Sequence, residues 1–178
     1  MSATPIHTER LELVPLTPEA IDALLRQDEP RLRAITGARF PPPLRPPPLM
    51  EGVLPLVRDR LRARPAEQAW GTWLVVSRDV HQAVGALGFG GPPDAEGDVL
   101  LGYATYPESD GKGYATEATR GLVEWALRQP EVRRVCCSIP ADNGAARRVA
   151  EKVGMRIVGT VWEEDLDDTL LYAIERPA

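Results

Sequence analysis

Gly111 and Gly113 flank Lys112 where an extended segment gives way to a helical one. The stretch reads Leu101-Gly102-Tyr103-Ala104-Thr105-Tyr106-Pro107-Glu108-Ser109-Asp110-Gly111-Lys112-Gly113-Tyr114-Ala115-Thr116-Glu117-Ala118. Ala115, Ala118, Leu122, Trp125 and Ala126 then recur at the helical period. A helix start presents unpaired N–H groups and about half a positive charge. Glycine adopts positive φ and lets the backbone approach an anion closely. The chemistry open to this arrangement is a pyrophosphate cradle of backbone amides, with Lys112 as added positive charge. A plain tight turn into a helix would use the same glycines.

Other phosphate motifs fit less well. Gly-x-x-x-x-Gly-Lys-Ser/Thr is absent, and Gly111-Lys112-Gly113 lacks the third glycine of a dinucleotide fingerprint. Gly85-Ala86-Leu87-Gly88-Phe89-Gly90 lies in a strand-like run and reads as structural glycine. The adjacent Cys136 and Cys137 are poor disulfide partners, and without neighbouring histidines they make no zinc site. On a strand they point to opposite faces, so at least one belongs to the core. No metal is expected. His81 could act as a base, but its place in a turn marks it as a surface residue.

Gly111-Lys112-Gly113-Tyr114-Ala115-Thr116-Glu117-Ala118 resembles the acetyl-CoA signature of GNAT N-acetyltransferases, Arg/Gln-x-x-Gly-x-Gly/Ala. Its wording is similar to the ribosomal-protein N-acetyltransferase (RimJ/RimL-like) branch. His7-Thr8-Glu9-Arg10-Leu11, Asp142-Asn143-Gly144-Ala145-Ala146-Arg147-Arg148-Val149 and Glu151-Lys152-Val153-Gly154-Met155-Arg156 resemble three further segments of that branch, in order. The resemblance spans nearly the whole chain and is weakest from 28 to 68. It implies acetyl transfer from acetyl-CoA to a primary amine. Backbone amides of Gly111, Lys112, Gly113, Tyr114 and Ala115, with Thr116, would bind the pyrophosphate. Tyr103, Ala104 and Thr105 would pair with the pantetheine arm as an added strand, and Asn143 would hydrogen-bond that arm. An amide near Tyr103 would meet the developing oxyanion. Arg147 and Arg148 are candidates for the 3′-phosphate or members of a solvated helix face.

The sequence also departs from the family. Asp110 stands where Arg or Gln is usual, and a carboxylate there repels a pyrophosphate unless it turns outward or caps the helix. Val99 and Leu100 occupy the place of a glutamate that helps deprotonate the amine. Ala146 replaces a serine, and Ala150 stands where some relatives carry a tyrosine. Asp98, with Glu96, is the remaining candidate to act through water. An α-amine, pKa about 8, is roughly a tenth neutral at pH 7, whereas a lysine near 10.4 is neutral in under about one molecule in a thousand. Positioning can then supply much of the rate. The expected acceptor is a protein or peptide N-terminal α-amine. The alternatives are a small amine such as a polyamine, antibiotic or amino acid analogue, or a non-catalytic acyl-CoA-binding module.

The elements that must position these residues are legible in outline. Arg10 to Leu16 alternates as a first strand, and Thr17-Pro18-Glu19 opens a helix carrying Ala20, Ile21, Leu24 and Leu25. The proline-rich residues 41–48 form an extended segment, either a stiff connector or a substrate-side lid or partner ligand. A helix is predicted over Met50 to Arg64. Runs from Trp70 and from Ala83 form a hairpin across Ser77 to Gln82. Val99 to Thr105, Lys112 to Arg128, Arg134 to Ile139, Asn143 to Lys152, Met155 to Trp162 and Thr169 to Ile174 then alternate strand, helix, strand, helix, strand, strand. This predicts a mixed α/β (α+β) sheet of about seven strands with flanking helices. In the family, strands four and five splay apart to admit the cofactor. Glu163-Glu164-Asp165-Leu166-Asp167-Asp168 is a solvated loop or an acidic rim for a cationic acceptor. Trp70, Trp73 and Trp162 read as core or interface residues.

At 178 residues, 43% hydrophobic and 26% charged, the chain is expected to be a single domain over 1–178. A net charge of −5 argues against general nucleic-acid binding. Neither a membrane span nor a secretory signal is visible, so the expected address is the cytoplasm. A homodimer is the expected assembly.

Overall fold

The computed structural model describes residues 3–48, 50–161 and 168–178. The elements run β1 (Ile6–His7), β2 (Leu11–Pro15), α1 (Pro18–Leu25), α2 (Glu29–Thr36), α3 (Leu54–Ala63), β3 (Thr72–Ser77), β4 (Gln82–Phe89) and β5 (Asp98–Thr105). They continue with α4 (Tyr114–Arg128), β6 (Arg134–Pro140), α5 (Gly144–Val153), β7 (Arg156–Val161) and β8 (Thr169–Glu175). One mixed sheet of eight strands has the order β1-β2-β3-β4-β5-β6-β8-β7. The strand beyond the expected seven is β1, which pairs through Ile6 and His7 with Leu13 and Glu12. Neighbours are antiparallel except β5 and β6, which run parallel and are joined through α4.

One apolar layer runs along the sheet and a second covers its β2–β4 part. Leu13, Trp73, Val75, Leu87, Val99 and Leu101 face Ala118, Leu122, Val123 and Ala126 of α4. Leu74, Val76 and Ala83 face α1 to α3 through Ile21, Leu24, Leu32, Leu54 and Leu61. Strand β3 is therefore buried on both faces, which explains the unbroken apolar run Trp73-Leu74-Val75-Val76. Trp70, Trp73 and Phe89 surround Trp125 at centroid separations of 5.2, 5.4 and 6.3 Å, so Trp70 and Trp73 belong to the core. Trp162 and residues 163–167 of the acidic run lie outside the described residues; Asp168 is exposed. Both Cys136 and Cys137 are buried.

Local chemistry sets the helix ends. The Thr17 hydroxyl accepts from the Ala20 amide, with Pro18 in the first turn. The same device starts α2, which the sequence reading omits: Asp28 caps Arg31, Pro30 follows, and Gly37 ends the helix at φ +71°. Helix α3 begins at Leu54, later than Met50, because Met50 to Val53 make a turn closed by the Val53 and Leu54 amides on the Met50 carbonyl. Helix α4 begins at Tyr114, not Lys112, because Gly111 and Gly113 sit at φ +77° and +80°, outside the helical region.

Residues 41–48 form neither helix nor strand and are tied down at three points. Tyr106 Oη donates to the Arg45 carbonyl at 2.6 Å, Gln27 Nε2 donates to the Leu44 carbonyl at 3.0 Å, and Arg45 pairs with Glu108 at 3.2 Å. Among the described residues no helix is long and apolar enough to cross a membrane.

Candidate functional site

Strands β5 and β6 separate partway along their length. Their parallel pairing covers Asp98, Val99 and Leu100 against Arg134, Val135 and Cys136. Beyond it β5 keeps its partner β4 through Thr105, while β6 keeps β8. The Leu100 carbonyl accepts from Gly90 and the Tyr106 amide donates to Val84, so even-numbered residues of β5 address β4. By alternation, the backbone N–H and C=O groups of Tyr103 and Thr105 face the opening. An unpaired strand edge of this kind accepts an extended ligand as an additional strand.

The opening leads into a cleft of about 550 Å³. Tyr103, Ala104 and Thr105 line one wall, Asn143, Ala146 and Val149 line another, and Gly111, Gly113, Tyr114, Ala115 and Thr116 close the end. Pro48 of the proline-rich segment stands at its rim. The first hydrogen bond of α4 runs from the Glu117 amide to the Gly113 carbonyl. The amides from Tyr114 to Thr116 thus open the helix without an intrahelical acceptor. Gly113 has no side chain to cap them, unlike Thr17, Asp28 and Asn143 at the starts of α1, α2 and α5. No atom lies within 4 Å of where a Gly111 Cβ would be. Uncapped amides, an open approach and the positive end of a fifteen-residue helix together fit an anion.

Asn143 caps α5 by accepting from the Ala146 amide at 3.1 Å. Its carboxamide oxygen is thereby committed, and its N–H donors are left for the cleft. The Tyr103 hydroxyl donates to the Ala146 carbonyl at 2.6 Å, bridging β5 to α5 across the opening. Burial pushes that phenol well above its usual range, so it stays protonated.

The sequence-predicted residues do not all converge. Tyr103, Ala104, Thr105, Gly111, Gly113, Tyr114, Ala115, Thr116 and Asn143 share the cleft; Lys112 stands beside it with an exposed side chain. Asp98 is not brought in. It begins β5, five residues or about 17 Å of strand from Tyr103, and its two oxygens accept from Arg134 at 3.2 and 2.5 Å. Both oxygens of its carboxylate are thus engaged away from the cleft. Asp110 lines the cleft and accepts from the Thr105 hydroxyl, so its carboxylate is turned back onto β5. Arg147 is committed to the Tyr172 hydroxyl at 3.1 Å and the Ala141 carbonyl at 3.1 Å, whereas Arg148 lines the cleft. Lys152, one turn further along α5, lines it as well. Sequence reasoning missed Lys152, although its i+4 spacing from Arg148 was the available signal. His81 lies in the β3–β4 turn at φ +53° and is exposed. Among the described residues no three His, Cys, Asp or Glu side chains gather in a metal-binding group.

Comparison with known proteins bears on this geometry. A family model described as "Acetyltransferase (GNAT) domain" matches residues 10–156. An uncharacterized N-acetyltransferase of Bacillus subtilis (strain 168), YjdG, is 29% identical over 152 residues, covering 84% of this chain and 88% of that protein. Among solved structures, RimL, a ribosomal alpha-N-protein acetyltransferase in complex with Coenzyme A, superposes with a TM-score of 0.69 at 16% identity, covering 97% of this chain and 98% of that one. MccE, a self immunity acetyltransferase in complex with acetyl-CoA and AMP, superposes with a TM-score of 0.65 at 13% identity, covering 94% and 93%.

Proposed function

The chain belongs to the acetyltransferase (GNAT) family, and from that premise we propose that it moves the acetyl group of acetyl-CoA to the N-terminal α-amine of a protein or peptide. The observation that carries the co-substrate is the continuity of the cleft. An unpaired strand edge at Tyr103 and Thr105 runs into uncapped helix amides at Tyr114 to Thr116. In this reading the pantetheine arm lies along Tyr103 to Thr105 and takes a hydrogen bond from the Asn143 carboxamide. The diphosphate rests on the amides of Gly111, Gly113, Tyr114, Ala115 and Thr116, with Lys112 as nearby positive charge. Arg148 and Lys152 face the 3′-phosphate. The neutral amine attacks the thioester carbon, the Tyr103 N–H meets the charge gathering on oxygen, the C–S bond breaks, and the proton lost by nitrogen passes through water to the departing thiolate.

The choice of an α-amine as acceptor is supported by the residues that line the cleft. Of its described lining residues Asp110 is the carboxylate, and Thr105 holds it; Asp98 is held by Arg134. A site without a strong base suits an amine of low pKa, and at pH 7 roughly a tenth of an α-amine is neutral against under about a thousandth of a lysine. The likeness in fold to RimL supports the same acceptor. The test is release of free thiol from acetyl-CoA over a panel of peptides with free or blocked N-termini, with polyamines included. Turnover is expected on free α-amines. Faster turnover on blocked, lysine-bearing peptides, or on polyamines alone, would contradict this reading.

A further inference from the structure

We propose that Arg10 is the positioning residue of the diphosphate loop, holding it from behind so that its amides face the cleft. The inference rests on the acetyl-CoA reading above. Arg10 lies between β1 and β2, more than a hundred residues before the loop, and nothing in the proposed chemistry uses it. One guanidinium nonetheless engages three parts of the α4 start. Its Nε donates to Glu117 Oε1 at 2.7 Å, and one terminal nitrogen donates to the Lys112 carbonyl at 2.9 Å. Its plane covers the Tyr114 ring at 4.7 Å.

The backbone amide of Arg10 and the Thr8 hydroxyl both donate to Glu117 Oε2, at 2.9 and 2.5 Å. Thr8 and Arg10 thus seize both oxygens of the carboxylate.

Two consequences reach the cleft. In a trans peptide the C=O and the following N–H point in opposite directions. Pinning the Lys112 carbonyl on Arg10 therefore aims the Gly113 N–H away from Arg10, and Gly113 lines the cleft. The other terminal nitrogen of Arg10 lies 3.3 Å from where a Gly113 Cβ would be, so the guanidinium backs directly onto that residue.

The second consequence is electrostatic. Glu117 sits in the first turn of α4, where an uncompensated carboxylate would repel a diphosphate bound at the same helix start. Burial opposes its ionisation, but the hydrogen bonds from Thr8 and Arg10 outweigh that and hold it below the usual carboxylate range. It is therefore charged at neutral pH, and Arg10 is the charge that offsets it.

Only a planar fork can span carboxylate and carbonyl together; a lysine offers a point charge. Arg10 is 45% exposed, and pairs of that kind add little to overall stability. The loss on substitution should fall on diphosphate binding and spare the fold.

The test compares the wild-type chain with Arg10→Lys and Arg10→Gln, titrated with CoA and with pantetheine, which lacks the diphosphate. Amide NMR reads both weak and tight binding, and thermal melting checks the fold. Both variants should melt within a few degrees of wild type. CoA affinity should fall on the order of tenfold, with pantetheine affinity unchanged. Unchanged CoA affinity, or an equal loss for both ligands, would overturn the inference. If wild type itself bound CoA no better than pantetheine, the diphosphate reading would fail first, and the two failures are told apart. Should Arg10→Gln prove unstable, Arg10→Lys keeps the charge and carries the comparison.

Discussion

Replacing Gly113 with alanine perturbs the loop by the smallest available change. The residue sits at φ +80°, and its new Cβ would meet an Arg10 nitrogen at 3.3 Å. That nitrogen ends a flexible side chain and can yield, so the backbone conformation sets the cost, about 1–2 kcal/mol for a left-handed alanine. The strain has two outlets. If the loop keeps its shape, the folded state carries the whole cost, and the melting temperature falls by about 2–4 °C for each kcal/mol in a chain of this size. If the loop relaxes instead, CoA must restore it on binding, and 1–2 kcal/mol corresponds to about 5–30-fold in Kd. Thermal melting and isothermal titration with CoA, taken together, must account for the same total. Gly111→Ala is a cleaner companion, since at φ +77° with no neighbour within 4 Å it carries strain alone. A Gly113→Ala protein with unchanged melting and unchanged CoA affinity would refute this reasoning, as would a loss of pantetheine affinity equal to the loss for CoA.

Asp110→Asn removes a carboxylate from the cleft while keeping an acceptor for Thr105. CoA should bind a few-fold tighter at low salt, an advantage that fades as screening rises. Arg148→Met and Lys152→Met should weaken CoA and leave 3′-dephospho-CoA unaffected. Arg147→Met should instead lower the melting temperature, because Arg147 joins Tyr172 and Ala141. Glu117, with its pKa lowered in the folded chain, stabilises above the ordinary carboxylate value near ~4.3, and that contribution disappears as pH falls through its lower folded value. The melting-temperature gap between wild type and Glu117→Gln should be widest above about pH 5 and close toward pH 3; a gap independent of pH would count against the Thr8–Arg10–Glu117 contacts. Gly85→Ala places a Cβ 2.4 Å from the Ala104 carbonyl. It should destabilise the fold by about 1–3 kcal/mol and disturb the cleft wall, read by melting and CoA titration.

Strand and helix periodicity, with cap chemistry at Thr17, made most of the sheet and α1, α4 and α5 legible from sequence. Helix α2 carried the same signal in Asp28, Pro30 and Gly37. It was missed because an eight-residue helix burying Leu32 offers little periodicity. The glycine loop was visible because its chemistry is local: positive φ and an uncapped helix start leave marks within a few residues. The fate of Asp98 was not visible, because its partner Arg134 comes from the next strand and only the parallel register brings them together. The separation of Arg147 from Arg148 likewise depends on which face of α5 meets β8. Arg10 and Glu117 meet across a separation of 107 residues, so sequence proximity gives no hint of their contact. Cys137 joins the core beneath α4, whereas Cys136, on the other face of β6, is buried without belonging to either apolar layer, which alternation alone does not show.

The account depends on the diphosphate of CoA resting on the amides that open α4. An amide NMR titration of the isotopically labelled chain, with CoA and then pantetheine, addresses this directly. The predicted result is that Gly111, Gly113, Tyr114, Ala115 and Thr116 shift strongly with CoA and little with pantetheine, while Tyr103 and Thr105 shift with both. Shifts confined to another surface, such as the groove beside Thr17, Leu61 and Gln68, with the α4 amides unmoved, would contradict it.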